Sequence, residues 1–325
     1  MDRKAARSIK MNGRIVELII SSNGFFCYTE NSVAKIRTPE EIDPLNVNDS
    51  IPFEKTIYRN SGTRNYITAR VIIQSKQFMD IISACVDKES VFAYLMEIET
   101  NLLICNKIYK DIKEHVYKKK NMKINVHNGV INNIPTINEL DIKVYQFLMS
   151  AKQVLQIVVS IFNEFHHYKG PQIDGPHINK LIDKMREIDY SSLLLKNMID
   201  NYALYKLIVD MRNAQEHTNK TRYLEIENYK LHSDNKVYEP YIKFFNNGLQ
   251  YENTILSWMH LIIEGLLHLV EIQMMYNVGK IASTNQKMEI AFIPIPEAER
   301  DEKCPVTRRA ELVNFGFVPK NKTIN

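Results

Sequence analysis

Apolar positions follow two different periods along the chain. Up to about residue 75 they fall in short, β-branched runs. Arg14-Ile-Val-Glu-Leu-Ile-Ile20 is one run, Phe25-Phe-Cys-Tyr28 another, and Ser22-Asn-Gly24 offers a turn between them. A second pairing is expected between residues 53–59 and 66–74, across Asn60-Ser-Gly-Thr63. From about Lys76 the spacing changes to three and four residues, the helical period. It predicts a long helix over residues 90–119, carried by Phe92, Leu95, Ile98, Leu102, Ile108 and Ile112. The run Lys118-Lys-Lys-Asn-Met-Lys123 closes it, with cations at the negative end of the helix dipole. His127-Asn-Gly129 is read as a turn in the polar loop that follows. A second helix runs from a capping box at Thr136 and Glu139 to about Phe165. His166 and His167 end it, better suited to helix-end cations than to a chelate. After a Gly- and Pro-rich loop at 169–176, a helix over about 177–201 leads into a further one at 204–217, or the two form one long kinked helix, since 191–217 holds no strong breaker.

Beyond that point, residues 222–229 and 236–245 alternate weakly and predict a short hairpin around Ser233-Asp-Asn235. A last long helix is expected over about 250–277. The C-terminal part holds an apolar stretch at 290–295, an acidic run at 297–302 and a polar tail expected to wrap on the surface or to be partly mobile.

The helix at 204–217 carries the chemistry. Leu204, Leu207, Ile208, Met211 and Ala214 form a core-facing stripe, while Asp210, Asn213 and His217 fall on a polar one. The run Arg212-Asn213-Ala214-Gln215-Glu216-His217 resembles the Arg-(four to six residues)-His motif of the HEPN superfamily. Active members of that family are mostly metal-independent RNases, and Asn213, straight after the Arg, belongs to their preferred pattern. The resemblance implies a mainly α fold, an up-and-down helical bundle over residues 76–280. A small β-rich unit at 1–75, a short hairpin insertion after the motif helix and an extension at 281–325 complete the expected organisation. The competing reading is an ordinary amphipathic helix with an Arg212–Glu216 pair and a solvated His217.

RNA carries its own nucleophile, the 2′-hydroxyl, so a protein that moves protons and stabilises charge on phosphorus cleaves it without a metal. His217 is the candidate general acid or base, because imidazole titrates near neutrality. Arg212 suits the non-bridging phosphate oxygens. Asn213 either orients the imidazole or binds the phosphate; Glu216 is read as an ion-pair partner. In family members two such motifs usually meet across one cleft, so a homodimer is implied. The family also implies a toxin or anti-phage defence setting, and an antitoxin or regulatory protein is a possible further partner. The alternative is a catalytically inactive HEPN-like module that binds RNA or a protein; the intact Arg, Asn and His argue for activity.

Composition narrows this only slightly. Of 325 residues, 45% are hydrophobic and 25% charged, as in ordinary globular proteins, and a net charge of +4 permits an acidic partner without implying one. No aromatic-rich basic face is evident. Cys27, Cys85, Cys105 and Cys304 are widely spaced, which argues against a zinc site or disulfide framework and fits the cytoplasm. The N-terminus reads as polar, without a signal peptide. Residues 255–276 are nearly all apolar, yet His260, Glu264, His268 and Glu271 recur along one face; this reads as a core helix, not a membrane span. The same four side chains are a competing constellation for a divalent ion, with a subunit contact or internal polar seam preferred. P-loop, dinucleotide and common hydrolase motifs are absent, so no cofactor or metal is expected.

Overall fold

A computed structural model describes residues 13–45, 47–48, 51–82, 86–119, 126–127, 130–131, 134–166, 173–232, 236–285 and 288–313. The chain opens with strands β1 (Ile15–Ser21), β2 (Gly24–Thr29) and β3 (Val33–Arg37), a one-turn helix α1 (Pro39–Ile42) and strand β4 (Glu54–Arg59). Helix α2 (Tyr66–Thr68) passes through a π-helical stretch, Ala69–Ile73, into α3 (Gln74–Ile81), and α4 (Lys88–Lys119) follows. Short strands β5 (Val126–His127) and β6 (Val130–Ile131) precede α5 (Leu140–His166), α6 (Ile178–Ile188), α7 (Leu193–Asp200) and α8 (Tyr202–Glu216). Then come β7 (Arg222–Glu227), β8 (Lys230–Leu231), β9 (Val237–Tyr238), β10 (Tyr241–Asn246) and β11 (Leu249–Thr254). Helix α9 (Ile255–Asn285) and strands β12 (Glu289–Pro294) and β13 (Arg308–Val313) complete the order.

Helix makes up 54% and strand 23% of the described residues. The fold is therefore mixed helix and sheet, and the expectation of a mainly α bundle with one small β-rich unit is overturned. Strand is spread along the chain: a four-stranded sheet in order β1-β2-β3-β4, a three-stranded one in order β11-β10-β7, and two-stranded ladders β12-β13, β5-β6 and β8-β9. The expected hairpin after the motif helix is thus a three-stranded sheet with a small hairpin, β8-β9, beside it. The third strand, β11, occupies residues expected to begin the last helix. The turn that creates it is Asn247-Gly248, with φ of 49° and 85°, the left-handed pair that a two-residue hairpin loop requires.

Contacts group the chain into two compact units, each discontinuous in sequence. The first comprises Met1–Met96, Ile161–Gln172 and Glu271–Asn325, the second Glu97–Ser160 and Ile173–Val270. In the first unit, β2 and β3 bury Phe26, Tyr28, Val33 and Ile36. The Thr29 hydroxyl closes their turn, accepting from the Ser32 amide at 2.9 Å. Gly62 lies against that turn so closely that a Cβ would stand 2.1 Å from the Thr29 carbonyl oxygen. Strand β4 pairs with β3, not with residues 66–74. Those residues are helical instead, capped by the Asn65 side chain at the Ile67 amide. Ile67, Val71, Ile72 and Ile73 are all buried, and a continuously buried apolar run does not distinguish helix from strand.

A buried ion pair ties this unit's helical and C-terminal segments together. Arg70 donates from Nε and Nη2 to the two carboxylate oxygens of Glu271 at 2.8 and 2.9 Å. Gln74 and Thr307 also donate to Glu271, at 3.1 and 2.7 Å, and the Gln74 carbonyl oxygen accepts from the Thr307 and Arg308 amides. His166 is no helix-end cation in solvent: its ring stacks on Phe162 at 4.2 Å, and burial pushes its pKa down.

In the second unit, α5, α8 and α9 supply Phe147, Leu148, Tyr205, Ile208, Met211, Trp258 and Leu266 to the core. Gly265 lets α9 approach α8, since a Cβ there would meet Leu204 Cδ2 at 2.5 Å. The start of α5 departs from the expected capping box. The helix begins at Leu140, Glu139 holds φ 55°, and the backbone after Thr136 is anchored by a hydrogen bond from the Ile137 amide to Asn228. Breaks at 189–192 and Asn201 resolve the 177–217 region into α6, α7 and α8. Two helices, Leu140–His166 and Ile255–Thr284, are long and apolar enough to cross a membrane; 61% of the apolar window in each is buried inside the protein.

Several sequence expectations lie outside the described residues: Cys85, the lysines after Lys119, the His127-Asn-Gly129 turn at its Asn and Gly, His167 and the start of the loop after it, Ser233-Asp-Asn235, the first twelve residues and the tail from 314.

Candidate functional site

Helix α8 positions the motif by burying one face, Tyr205, Ile208, Met211 and Ala214, and leaving Asp210, Arg212 and Asn213 half-buried and His217 exposed. It ends without a glycine. The His217 amide donates to the Asn213 carbonyl at 2.9 Å, and the Thr218 hydroxyl to the Ala214 carbonyl at 2.8 Å. These bonds satisfy carbonyls that a helix end leaves open. The Asn219 side chain then accepts from the Thr221 and Arg222 amides at 2.9 and 2.8 Å, turning the chain into β7. His217 therefore stands at the joint between helix and sheet. A second tie comes from Asp210, which pairs with Lys206 and accepts from the Asn246 side-chain Nδ2 at 3.3 Å.

Arg212 is mostly covered, its side chain 18% exposed, and pairs with Glu216 one turn on. Its Nε also faces the Met149 sulfur at 3.2 Å. Asn213 accepts a hydrogen bond from Lys152 of α5 at 3.3 Å. Burial, and then the charge of Arg212, lower the pKa of Lys152. His217 is exposed and makes no side-chain hydrogen bond among the described residues. The Asn213 amide oxygen is thus engaged by Lys152, while its main-chain carbonyl holds the His217 backbone.

The structure brings Arg212 and Asn213 together with a cation that sequence reasoning missed. Lys152 lies far along the chain, and its one visible signal is a charge inside an otherwise apolar helical run. Arg222 was missed too; its Nε is buried without a hydrogen-bond partner, as is the Gln215 side-chain oxygen within the motif. The result is a polar surface with two neighbouring permanent or near-permanent cations, a carboxylate paired to one of them, and an accessible imidazole at the helix end. It is equipped to hold an anionic oxygen and to exchange a proton.

The competing constellation on α9 does not assemble. His260 stacks on Tyr109 with ring centroids 5.8 Å apart, and Glu271 is occupied by Arg70. Among the described residues, no three His, Cys, Asp or Glu side chains are grouped to hold a metal ion.

No family model, curated protein or solved structure matches the chain. The resemblance to HEPN proteins rests on residues 212–217.

Proposed function

We propose that this chain is a metal-independent endoribonuclease of HEPN type. The observation that carries the reading is the cationic pair around Asn213, Lys152 and Arg212, at the end of α8 where His217 is accessible. Arg212 and Lys152 hold the non-bridging oxygens of the scissile phosphate. His217 takes the proton from the 2′-hydroxyl or gives one to the departing 5′-oxygen, and the product carries a cyclic phosphate. Asn213 holds the Lys152 ammonium in place. Phosphate binding displaces Glu216 from Arg212, an exchange of one charge-assisted partner for another. One motif offers one imidazole, so the working form is a homodimer with two motifs on one cleft. The wide cysteine spacing fits a cytoplasmic setting, and the family resemblance supports a toxin or anti-phage role with an antitoxin or other regulatory protein as its restraint.

A second reading is a catalytically silent module that binds RNA or a protein partner. The Arg212–Glu216 pair favours it, as does the lack, among the described residues, of a side chain that hydrogen-bonds and orients His217.

Cleavage of labelled RNA in excess EDTA separates the two. Wild type cuts, Arg212→Ala and His217→Ala lose on the order of a hundredfold or more, and all three melt alike. Equal cleavage by all three proteins sinks the assignment; binding without cleavage by wild type establishes the silent module.

A further inference from the structure

A second feature of the second unit has no part in that chemistry. Two cavities, of about 260 and 700 Å³, adjoin through shared walls at Glu239 and Thr254. The smaller is walled by Tyr109, Lys113 and Tyr117 of α4 and His260 of α9. Lys113 Nζ sits 5.3 Å from the Tyr109 ring centre and 5.8 Å from that of Tyr117, a cation between two aromatic faces. Tyr117 is 61% exposed. The larger is walled by Lys236, Tyr238, Tyr241 and Glu252. Tyr238 is 45% exposed, and its ring lies tilted against His232 with centroids 4.0 Å apart. The C-terminal part of α4 adds Lys107, Lys110, Lys118 and Lys119 against Asp111 and Glu114.

We propose that this groove binds single-stranded RNA, stacking bases on Tyr117 and Tyr238 and setting phosphates against Lys113 and Lys236. The assignment rests on the reading of RNA as substrate and names the form of RNA held. Exposed rings beside cations are the features by which proteins track an unpaired strand, since every base offers a stacking face. A duplex cannot use them, because its bases are already stacked on one another. Glu239 and Glu252 in the walls repel phosphate from the groove floor, which leaves that space to bases and the rims to the backbone.

The register of the three-stranded sheet relates groove and motif. Tyr241 pairs with Glu227 and Thr254 at the groove end, while Asn246 pairs with Arg222 and Leu249 at the end where Asn246 also reaches Asp210 of α8. The two ends are separated by one six-residue strand, about 17 Å. One strand of RNA held in the groove therefore continues toward Arg212 and His217.

The test uses the full chain carrying His217→Ala, titrated into a fluorescent single-stranded RNA of about 12 nucleotides, within the usual site size, and into the same RNA as a duplex. The single strand is expected to bind at least about tenfold more tightly. Adding Tyr117→Ala or Tyr238→Ala weakens it about tenfold each, whereas Tyr→Phe at either position stays close to the parent. Lys113→Gln lowers the slope of log affinity against log salt by about 0.7. Matching melting curves exclude misfolding. Unchanged affinity in both Tyr→Ala proteins, or equal binding of duplex, overturns the proposal. Cleavage by otherwise wild-type protein reports separately. Tyrosine variants that cut with unaltered KM remove the groove and leave the nuclease; tyrosine-dependent binding without any cleavage does the reverse.

Discussion

Lys152 is where the chemistry of the motif departs from a pair of residues on one helix. A half-buried ammonium beside a guanidinium loses its proton more readily than an ordinary lysine, and here burial and Arg212 both act in that direction. The sign follows for activity. If the ammonium holds phosphate, activity falls as pH rises through the lowered Lys152 pKa, earlier than for a lysine at its usual value of 10.5. Lys152→Arg keeps its charge throughout the accessible range, so it moves the alkaline limb of the kcat/KM profile upward while leaving the acid limb in place. A variant profile that overlays the wild type removes Lys152 from phosphate binding. Nothing around residue 212 announces this lysine, because the contact joins positions distant in sequence. Arg212, Asn213 and His217 were legible because their spacing is local to one helix.

At the scale of elements, the buried pair of Arg70 and Glu271 joins three segments of the first unit. Burial works to raise the Glu271 carboxyl, but the Arg70 hydrogen bonds and charge, with Thr307 and Gln74, outweigh it and hold the pKa below its ordinary value. A depressed carboxyl contributes stability that is present above the unfolded value of 4.5 and is lost as pH falls through the folded one. Glu271→Gln removes the carboxylate charge that Arg70 binds through two hydrogen bonds in a buried setting, and the expected loss at pH 7 is about 3–5 kcal/mol in urea unfolding. The gap between variant and parent narrows as pH falls below 4.5 toward the lowered folded value. An unchanged midpoint at pH 7 would refute the clasp. The sequence placed Glu271 on a polar seam with His260, Glu264 and His268, but its partner Arg70 is distant along the chain and was not visible. Long helices with exposed polar stripes, such as α4, were legible from their period. The 66–74 segment was not, since burial on every side erases periodicity and β-branched residues then suggest strand. Strand β11 was missed for another reason: Asn247-Gly248 is a strong local turn signal, outweighed by the apolar run that follows it.

For the molecule as a whole, sheet and helix are interleaved along the chain, and each compact unit gathers segments far apart in sequence. Local patterns identify elements but not such groupings, which depend on contacts like Arg70–Glu271 and Lys152–Asn213. The same limit applies to assembly. One exposed imidazole, His217, cannot act at both the attacking and the leaving oxygen at once, and no second histidine is hydrogen-bonded to the motif among the described residues. Two copies related by a two-fold axis supply two Arg212 and two His217 side chains to one cleft. Activity per chain then depends on concentration. On dilution through the dimer dissociation constant, specific cleavage activity falls in step with the dimer fraction measured by sedimentation. A chain that sediments as a monomer and retains constant specific activity over the same range defeats the two-motif site. The single-helix chemistry of His217 with Lys152 and Arg212 would then have to account for the whole reaction.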